Sequence, residues 1–405
     1  MVDDSFSIDD LLDKMAKPEV NIFKNRKVMN SSYIPEHLPN REEEMKKLIL
    51  TLGVLLKGGT PQNAFLYGKT GIGKTAVTKL VISGLQKKAD EMGINLFSTY
   101  INCRVVDTTY RIYAHLCKSI EVEVPMTGLP TDEIIQKFTN ELERKKTHNI
   151  IVLDEIDFLV KKSSKALYVL TRMNSDLANS SISIIGITND LTFKHMMDAR
   201  VRSTLTEREI TFDPYTKPQI ERIIKERAAE GLYEGVLSDS ALNKAAASAA
   251  QEHGDARRAI DLVRVAGELV ESEARAQILE DDISNAQNII ESNAVMEVTR
   301  SLPLQAKLVL ISTAILDEKS KGGNPIKSSE VYEFYREICA KIGMDSLTQR
   351  RVGDLINDLD LLGMVRTNVV SKGRYGRSRV ISLAVSPSEI RSILSIDPII
   401  KLILE

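Results

Sequence analysis

The chain contains no tryptophan, and Phe, Tyr and Trp together make up only 5% of its 405 residues. So few rings argue against a broad stacking platform for single-stranded nucleic acid. Cysteine is nearly absent as well. Cys103, Cys117 and Cys339 are scattered, odd in number and paired with no histidine at a zinc-like spacing, which points to isolated thiols in a reducing compartment. No apolar run approaches the length that spans a bilayer, and residues 1–13 are acidic rather than signal-like, so the expected location is cytoplasmic, without a membrane partner. Charge of one sign is also lacking: the formal net charge is −2, and any hold on nucleic acid must come from local patches. What remains is ordinary for globular protein, 43% hydrophobic and 27% charged. The length is too great for one core and predicts two or three domains.

Glycine is placed with purpose in Gly68-Lys69-Thr70-Gly71-Ile72-Gly73-Lys74-Thr75. The apolar run 63–67 precedes it and the periodic segment 76–85, opening at Ala76, follows it. The reading is strand, glycine loop, helix. G-x-x-x-x-G-K-[ST] turns backbone N–H groups onto phosphate oxygens at a helix N-terminus. Gly71 and Gly73 suit positive φ, which faces successive amides inward. Lys74 would reach the β- and γ-phosphates and the Thr75 hydroxyl would ligate Mg²⁺. The expected ligand is therefore ATP or ADP with Mg²⁺.

A second apolar run, 150–153, has the β-branched character of a central parallel strand and ends in Asp154-Glu155-Ile156-Asp157. Carboxylates at that edge of an α/β sheet lie where such sheets bind ligands. Asp154 would hold Mg²⁺, and Glu155 would orient and deprotonate the attacking water. A third strand, 181–188, ends at Asn189, whose amide suits a γ-phosphate or that water. Soon after comes Asp198-Ala199-Arg200-Val201-Arg202-Ser203. Arg200 is a candidate to act on a neighbouring subunit's γ-phosphate; an ordinary surface arginine is the alternative.

Residues 1–30 read as a loosely held arm, 31–212 as a nucleotide-binding α/β domain with alternating strands and helices, 213–295 as a helical lid, and 300–405 as a separate module. In the lid, Gly254-Asp255-Ala256-Arg257-Arg258 opens a helix. Arginines there oppose the helix dipole unless an anion compensates. Arg257, ahead of Arg258, is therefore a candidate phosphate sensor, with an ion pair to Asp255 or another acid as the competing account. In the last module, helices 303–316 and 329–342 precede a third. Its capping box is read with Ser346 as N-cap and Gln349 at N3, and Thr348, Gln349, Arg350 and Arg351 lie near its start. Strand-like runs 364–370 and 379–384 flank a tip rich in glycine and arginine. Three helices and a basic hairpin make a winged helix, whose third helix enters a major groove. Lys372, Arg374, Tyr375, Arg377 and Arg379 would supply groove and phosphate contacts to duplex DNA. A soluble turn or a protein-docking module is the other reading.

With these motifs in this order, the chain resembles the archaeal-type Orc/Cdc replication initiators of the AAA+ superfamily, from Tyr33-Ile34-Pro35 and Arg41-Glu42 to the wing. The resemblance implies an AAA+ ATPase with a parallel sheet, helical lid and C-terminal winged helix. It implies Walker A roles for Lys74 and Thr75, Walker B roles for Asp154 and Glu155, sensor roles for Asn189 and Arg257, and an arginine finger at Arg200, or else Arg202. Adenine would lie against Ile34-Pro35 and near Tyr215. A minor-groove insertion would fall within 105–128, including Thr108, Thr109, Tyr110 and Arg111, where the residues alone show only an amphipathic helix. The implied partners are double-stranded origin DNA, the MCM helicase and related initiator subunits, with the protein at the nucleoid. An ATP-gated transcription regulator or signalling ATPase, or a loader whose winged helix docks protein, remains the alternative.

Overall fold

In the computed structural model the described residues are 20–125, 127–162, 165–190, 192–193, 197, 199–205, 208–320, 326–371 and 377–404. The chain divides into two compact units at Ala286/Gln287, within the helix Glu280–Ser301. Among the described residues, no helix is long and apolar enough to cross a membrane.

The first unit is built on five strands: β1 (Ala64–Tyr67), β2 (Leu96–Asn102), β3 (His148–Asp154), β4 (Ser181–Thr188) and β5 (Arg208–Thr211), in the order β2-β3-β4-β1-β5 and all parallel. β3 and β4 are internal and almost wholly buried, which explains the apolar run 150–153 and the four isoleucines of β4; the buried Ser183 hydroxyl donates to Gln62 O at 2.9 Å. Register does the rest. Asn102 pairs with Asp154, Asp154 with Ile187, and Tyr67 with Thr188, so four strand ends meet at one edge. Helix α1 (Glu42–Leu52) precedes β1, and α2 (Lys74–Glu91) follows it, burying Val77, Val81 and Leu85. A larger apolar core holds Ile112, Tyr113 and Leu116 of α3 (Thr109–Ser119) and Phe138 and Leu142 of α4 (Thr131–Lys145).

Beyond β5 the chain is helical: α5 (Lys217–Gly231), α6 (Asp239–Gln251) and α7 (Ala256–Ser272). Each start is set locally. Thr216 donates its N–H to the Gln219 side chain, while the side chains of Ser238 and Asp255 accept N–H groups of the first turns that follow them. The arm expected over 1–30 is corrected for its described part. Ile22, Phe23, Val28 and Met29 are buried, Phe23 bridges to Leu232, and Lys24 and Asn25 donate to Gly231 O. Four apolar side chains among eight residues bury too much surface to stay loose.

The second unit carries α8 (Leu304–Lys319), α9 (Ser328–Lys341) and α10 (Gln349–Leu361). A three-stranded antiparallel sheet follows, in which β8 (Arg377–Leu383) lies between β6 (Ile326–Lys327) and β7 (Val365–Ser371). Val352, Ile356 and Leu359 of α10 enter its core. The capping box at Ser346 is not formed. The N-cap is Thr348, whose hydroxyl accepts from Arg351 N, and Gln349 is the first helical residue. The cause lies one residue back: Tyr335 Oη accepts the Leu347 N–H at 3.0 Å while the Leu347 side chain packs on the core. That keeps the backbone extended through Thr348. Two helices unforeseen in the sequence, Pro387–Leu394 and Pro398–Leu404, follow β8 and contribute Ile390, Leu394 and Ile400 to the same core.

Candidate nucleotide site

The loop between β1 and α2 is shaped by three glycines at φ 151°, 73° and 95° (Gly68, Gly71 and Gly73). A Cβ on Gly71 would stand 1.7 Å from Asp255 Oδ1, and one on Gly73 2.9 Å from the Tyr215 hydroxyl. Only glycine satisfies both backbone and space there. The loop borders a cavity of about 420 Å³. Thr70, Gly71, Ile72, Gly73, Lys74, Thr75 and Ala76 line it from below, and Asp154, Glu155 and Asn189 from the strand ends. Ile34, Pro35, Tyr215 and Arg257 also line it. Gly68 and Lys69 stand apart from this lining. The Gly68 carbonyl accepts from Lys74 Nζ at 2.7 Å, and Lys69 Nζ meets His253 Nδ1 at 3.0 Å.

Lys74 is the buried cation of the site. Its Nζ also donates to Lys69 O at 2.5 Å and Asn189 Oδ1 at 2.7 Å. Burial lowers its pKa to about 8, with the Asp154 charge opposing the shift. A cation so desolvated, with an amide beside it, is primed for an anion. Asp154 Oδ2 accepts from Thr75 Oγ1 at 2.8 Å and from the Tyr100 hydroxyl, while its Oδ1 accepts the Glu155 N–H at 2.9 Å. Burial first, then its bond to Asp154, raises the Tyr100 phenol pKa. Glu155 adopts φ +53°, and its Oε2 is buried without a hydrogen-bond partner. A left-handed glutamate with an orphaned oxygen at a cavity wall is a strained, unsatisfied group, and such groups gather at functional sites.

The residues fit Mg²⁺ with a nucleotide. Thr75 and Asp154 supply hard oxygen donors, and Mg²⁺ commonly takes one or two carboxylates and completes its shell with phosphate and water. Among the described residues no group of three His, Cys, Asp or Glu side chains could hold a metal by itself. Beneath the site Thr188 Oγ1 donates to Asp157 Oδ1 at 2.8 Å. On the lid, Asp255 caps α7 by accepting from Arg257 N and Arg258 N, which offsets the two cations at the helix start. Arg258 pairs with Glu252 at 3.0 Å, so the competing account holds for that residue, whereas Arg257 lines the cavity.

Arg41 has a place in the resemblance but no role assigned from the sequence, which does not point to Tyr100. Arg41 Nε donates to Ile72 O and Nη2 to Asp213 O, at 2.9 and 2.6 Å, and its guanidinium lies 3.9 Å from the Tyr215 ring centroid. It ties the glycine loop, the segment just after β5 and the start of α1 together. For Arg41 the available signal was only its place in the resemblance, beside Glu42. None existed for Tyr100.

The candidate nucleic-acid residues fall in three places. Thr108 caps α3 and Arg111, three residues on, lies 3.8 Å from Asp107; both are exposed. Thr348, Gln349 and Arg350 are exposed at the start of α10. Lys372, Arg374 and Tyr375 lie outside the described residues, as do the side chains of Arg377 and, in the helix Ala199–Leu205, Arg200. Arg379 is engaged within the second unit: it donates to Asn357 Oδ1 at 2.6 Å, Thr367 Oγ1 at 3.1 Å and Gly353 O at 3.4 Å.

Three family models match the chain: an AAA domain over residues 57–192, the Cdc6 AAA+ ATPase-type lid domain over 221–288, and the CDC6 C-terminal winged helix domain over 297–393. The ORC1-type DNA replication protein 1 of Archaeoglobus fulgidus is 46% identical over 376 residues, 93% of this chain and 91% of that protein. The ORC1-type DNA replication protein of Pyrococcus abyssi is 45% identical over 395 residues, covering 96% and 94%. Among solved structures, the Aeropyrum pernix ORC1 protein in complex with DNA is 42% identical with a TM-score of 0.86, covering 94% of this chain and 99% of that one. Cdc6p from Pyrobaculum aerophilum is 25% identical with a TM-score of 0.59, covering 95% and 99%. The architecture is that of an AAA+ domain with its lid and a winged helix.

Proposed function

This chain belongs to the ORC1-type, Cdc6-related family of AAA+ DNA replication proteins, and from that footing we propose that it is an ATP-dependent replication initiator. It binds duplex origin DNA through the winged helix and the AAA+ domain, helps recruit and load the MCM helicase, and is switched by ATP binding and slow hydrolysis. It works in the cytoplasm, at the nucleoid. The domain division adopted is 31–212, 213–295 and 300–405.

One observation carries the ATP part: Lys74, Thr75, Asp154, Glu155, Asn189 and Arg257 line a single cavity between sheet and lid. Lys74 holds the β- and γ-phosphates. Thr75 and Asp154 hold Mg²⁺, which, when bound, supplies neutralisation of phosphate charge. Glu155 takes the proton of the attacking water as its oxygen bonds to the γ-phosphorus. The bond to the bridging oxygen breaks with its electron pair leaving on ADP. Asn189 orients water or γ-phosphate. Arg257 bonds the γ-phosphate from the lid, so its loss on hydrolysis frees the lid, a change driven by differential contacts. Arg200, with Arg202 as alternative, acts on the site of a related subunit.

The DNA part is supported by the relative solved with DNA and by the basic tip. Thr348, Gln349 and Arg350 are assigned to the major groove. Lys372, Arg374, Tyr375, Arg377 and Arg379 serve the wing, and Thr108 and Arg111 the insertion. Footprinting genomic fragments with and without ATP tests this reading. Discrete duplex sites at replication starts, sharpened by ATP, are expected. Protection confined to promoters, or none at moderate salt, would overturn it.

A further inference from the structure

Asp154 receives three donors on two oxygens. Glu155 N–H donates to Oδ1 at 2.9 Å, and Thr75 Oγ1 to Oδ2 at 2.8 Å. The third donor, also on Oδ2, is the Tyr100 hydroxyl. Neither the glycine-loop chemistry nor the acidic pair calls for it. Tyr100 lies near the end of β2, and the parallel register pairs it with Val152, two residues before Asp154. The length of the phenol spans that offset.

Tyr100 is only partly buried, at 41% exposure, with its hydroxyl turned onto Asp154. Lys79 sits over the ring, its Nζ 4.6 Å from the centroid. Lys79 is one helical turn beyond Thr75 on α2, so one helix face supplies both the hydroxyl that shares Asp154 and the cation that seats the tyrosine. Tyr100 and Lys79 line both the phosphate cavity and a second hollow bordered by Gln86 of α2, Ser98 of β2 and Val152 of β3. An exposed ring clamped by a cation, with its only polar atom on a carboxylate, is arranged for that carboxylate.

Resting on the reading of Asp154 and Thr75 as the metal's protein ligands, we infer that Tyr100 is a positioning residue for Mg²⁺: its O–H locks the rotation of the Asp154 carboxylate. Donors behind a ligating carboxylate orient it and tune affinity. The role concerns metal affinity and not the grip of the loop on phosphate.

Tyr100→Phe removes only the hydroxyl. ATP binding to the full chain is measured by calorimetry in EDTA and over graded Mg²⁺, for the parent, Tyr100→Phe, Asp154→Asn and the double variant. In Tyr100→Phe the Mg²⁺ concentration for half-maximal tightening should rise about tenfold, with the affinity in EDTA unchanged. In the Asp154→Asn background Tyr100→Phe should add nothing. An unchanged Mg²⁺ midpoint, an equal loss in EDTA, or full additivity with Asp154→Asn would each overturn the role. A parent whose ATP binding ignores Mg²⁺ would instead remove the metal-site reading itself, and Tyr100's role with it.

Discussion

Ala256, the first residue of α7, donates its backbone N–H to the carbonyl of Gly71 at 3.2 Å, which ties the lid to the middle of the phosphate loop. The residue before it, Asp255, packs so closely that a methyl on Gly71 would overlap its carboxylate. The loop is therefore walled by the lid and cannot be altered independently of it.

Gly71→Ala meets two obstacles at once, φ of +73° and the Asp255 carboxylate. The first alone costs about 1–2 kcal/mol, and the second displaces the lid. ATP affinity should fall by roughly tenfold or more. Calorimetry of the variant beside Gly84→Ala, where a Cβ meets nothing within 4 Å, checks this. Equal affinities in the two variants would show that lid contact does not shape the loop.

Glu155 is held at φ +53° with Oε2 buried and unpartnered. Gln keeps the shape but cannot accept the water's proton. Glu155→Gln should bind ATP within about twofold of the parent and hydrolyse it roughly a hundredfold more slowly. Single-turnover phosphate release measures this, and a parental rate would assign the base elsewhere.

The loop and the acidic strand end were legible because their chemistry is local. Glycines at +φ, a lysine and a threonine stand in a fixed run, and an apolar strand announces its carboxylates. Asp154 and Tyr100 are 54 residues apart in sequence and meet only because β2 lies next to β3 in parallel register, which no local pattern encodes. Arg41 is hidden in the same way: its partners Ile72 O and Asp213 O are backbone atoms without a sequence signature. Thr348 displaced Ser346 as N-cap because of Tyr335, a tertiary contact overriding a good local motif. The packed segment 22–29 gives no sequence signal, because its apolar residues follow neither helical nor strand period.

Asp282 anchors the turn into the helix Glu280–Ser301. It accepts from the Leu279 N–H at 2.8 Å and from Arg275 at 3.1 and 2.5 Å. Burial pushes its carboxyl pKa up, but the bonds from Arg275 and Leu279 and the guanidinium charge outweigh this and hold it below the usual value. Its folded pKa being depressed, the stability it contributes is present above the unfolded pKa of about 3.9 and is lost as pH falls through the folded value. Asp282→Asn should cost about 1–2 kcal/mol at pH 7, and the gap to the parent should narrow as pH falls below the unfolded pKa and through the depressed folded one. Urea titrations at pH 7, 4 and 2.5 measure it, and a gap independent of pH would mean that the charge is not what stabilises the turn.

Arg379 and the tip arginines should fail in different ways. Arg379 joins β8 to α10 through Asn357 and Gly353, and to β7 through Thr367. Arg379→Ala should therefore destabilise the second unit by about 1–2 kcal/mol, as expected for lost hydrogen bonds from a charged group. Its DNA affinity should fall through loss of hairpin placement. Arg374→Ala with Arg377→Ala should leave stability unchanged while weakening duplex binding, and should flatten the log–log salt dependence by about two phosphate contacts. Thermal melting and salt-titrated DNA binding on the same three proteins separate the cases. A parental salt slope in the double variant would move the DNA surface away from the hairpin tip. Parental stability in Arg379→Ala would return that arginine to the list of direct phosphate contacts.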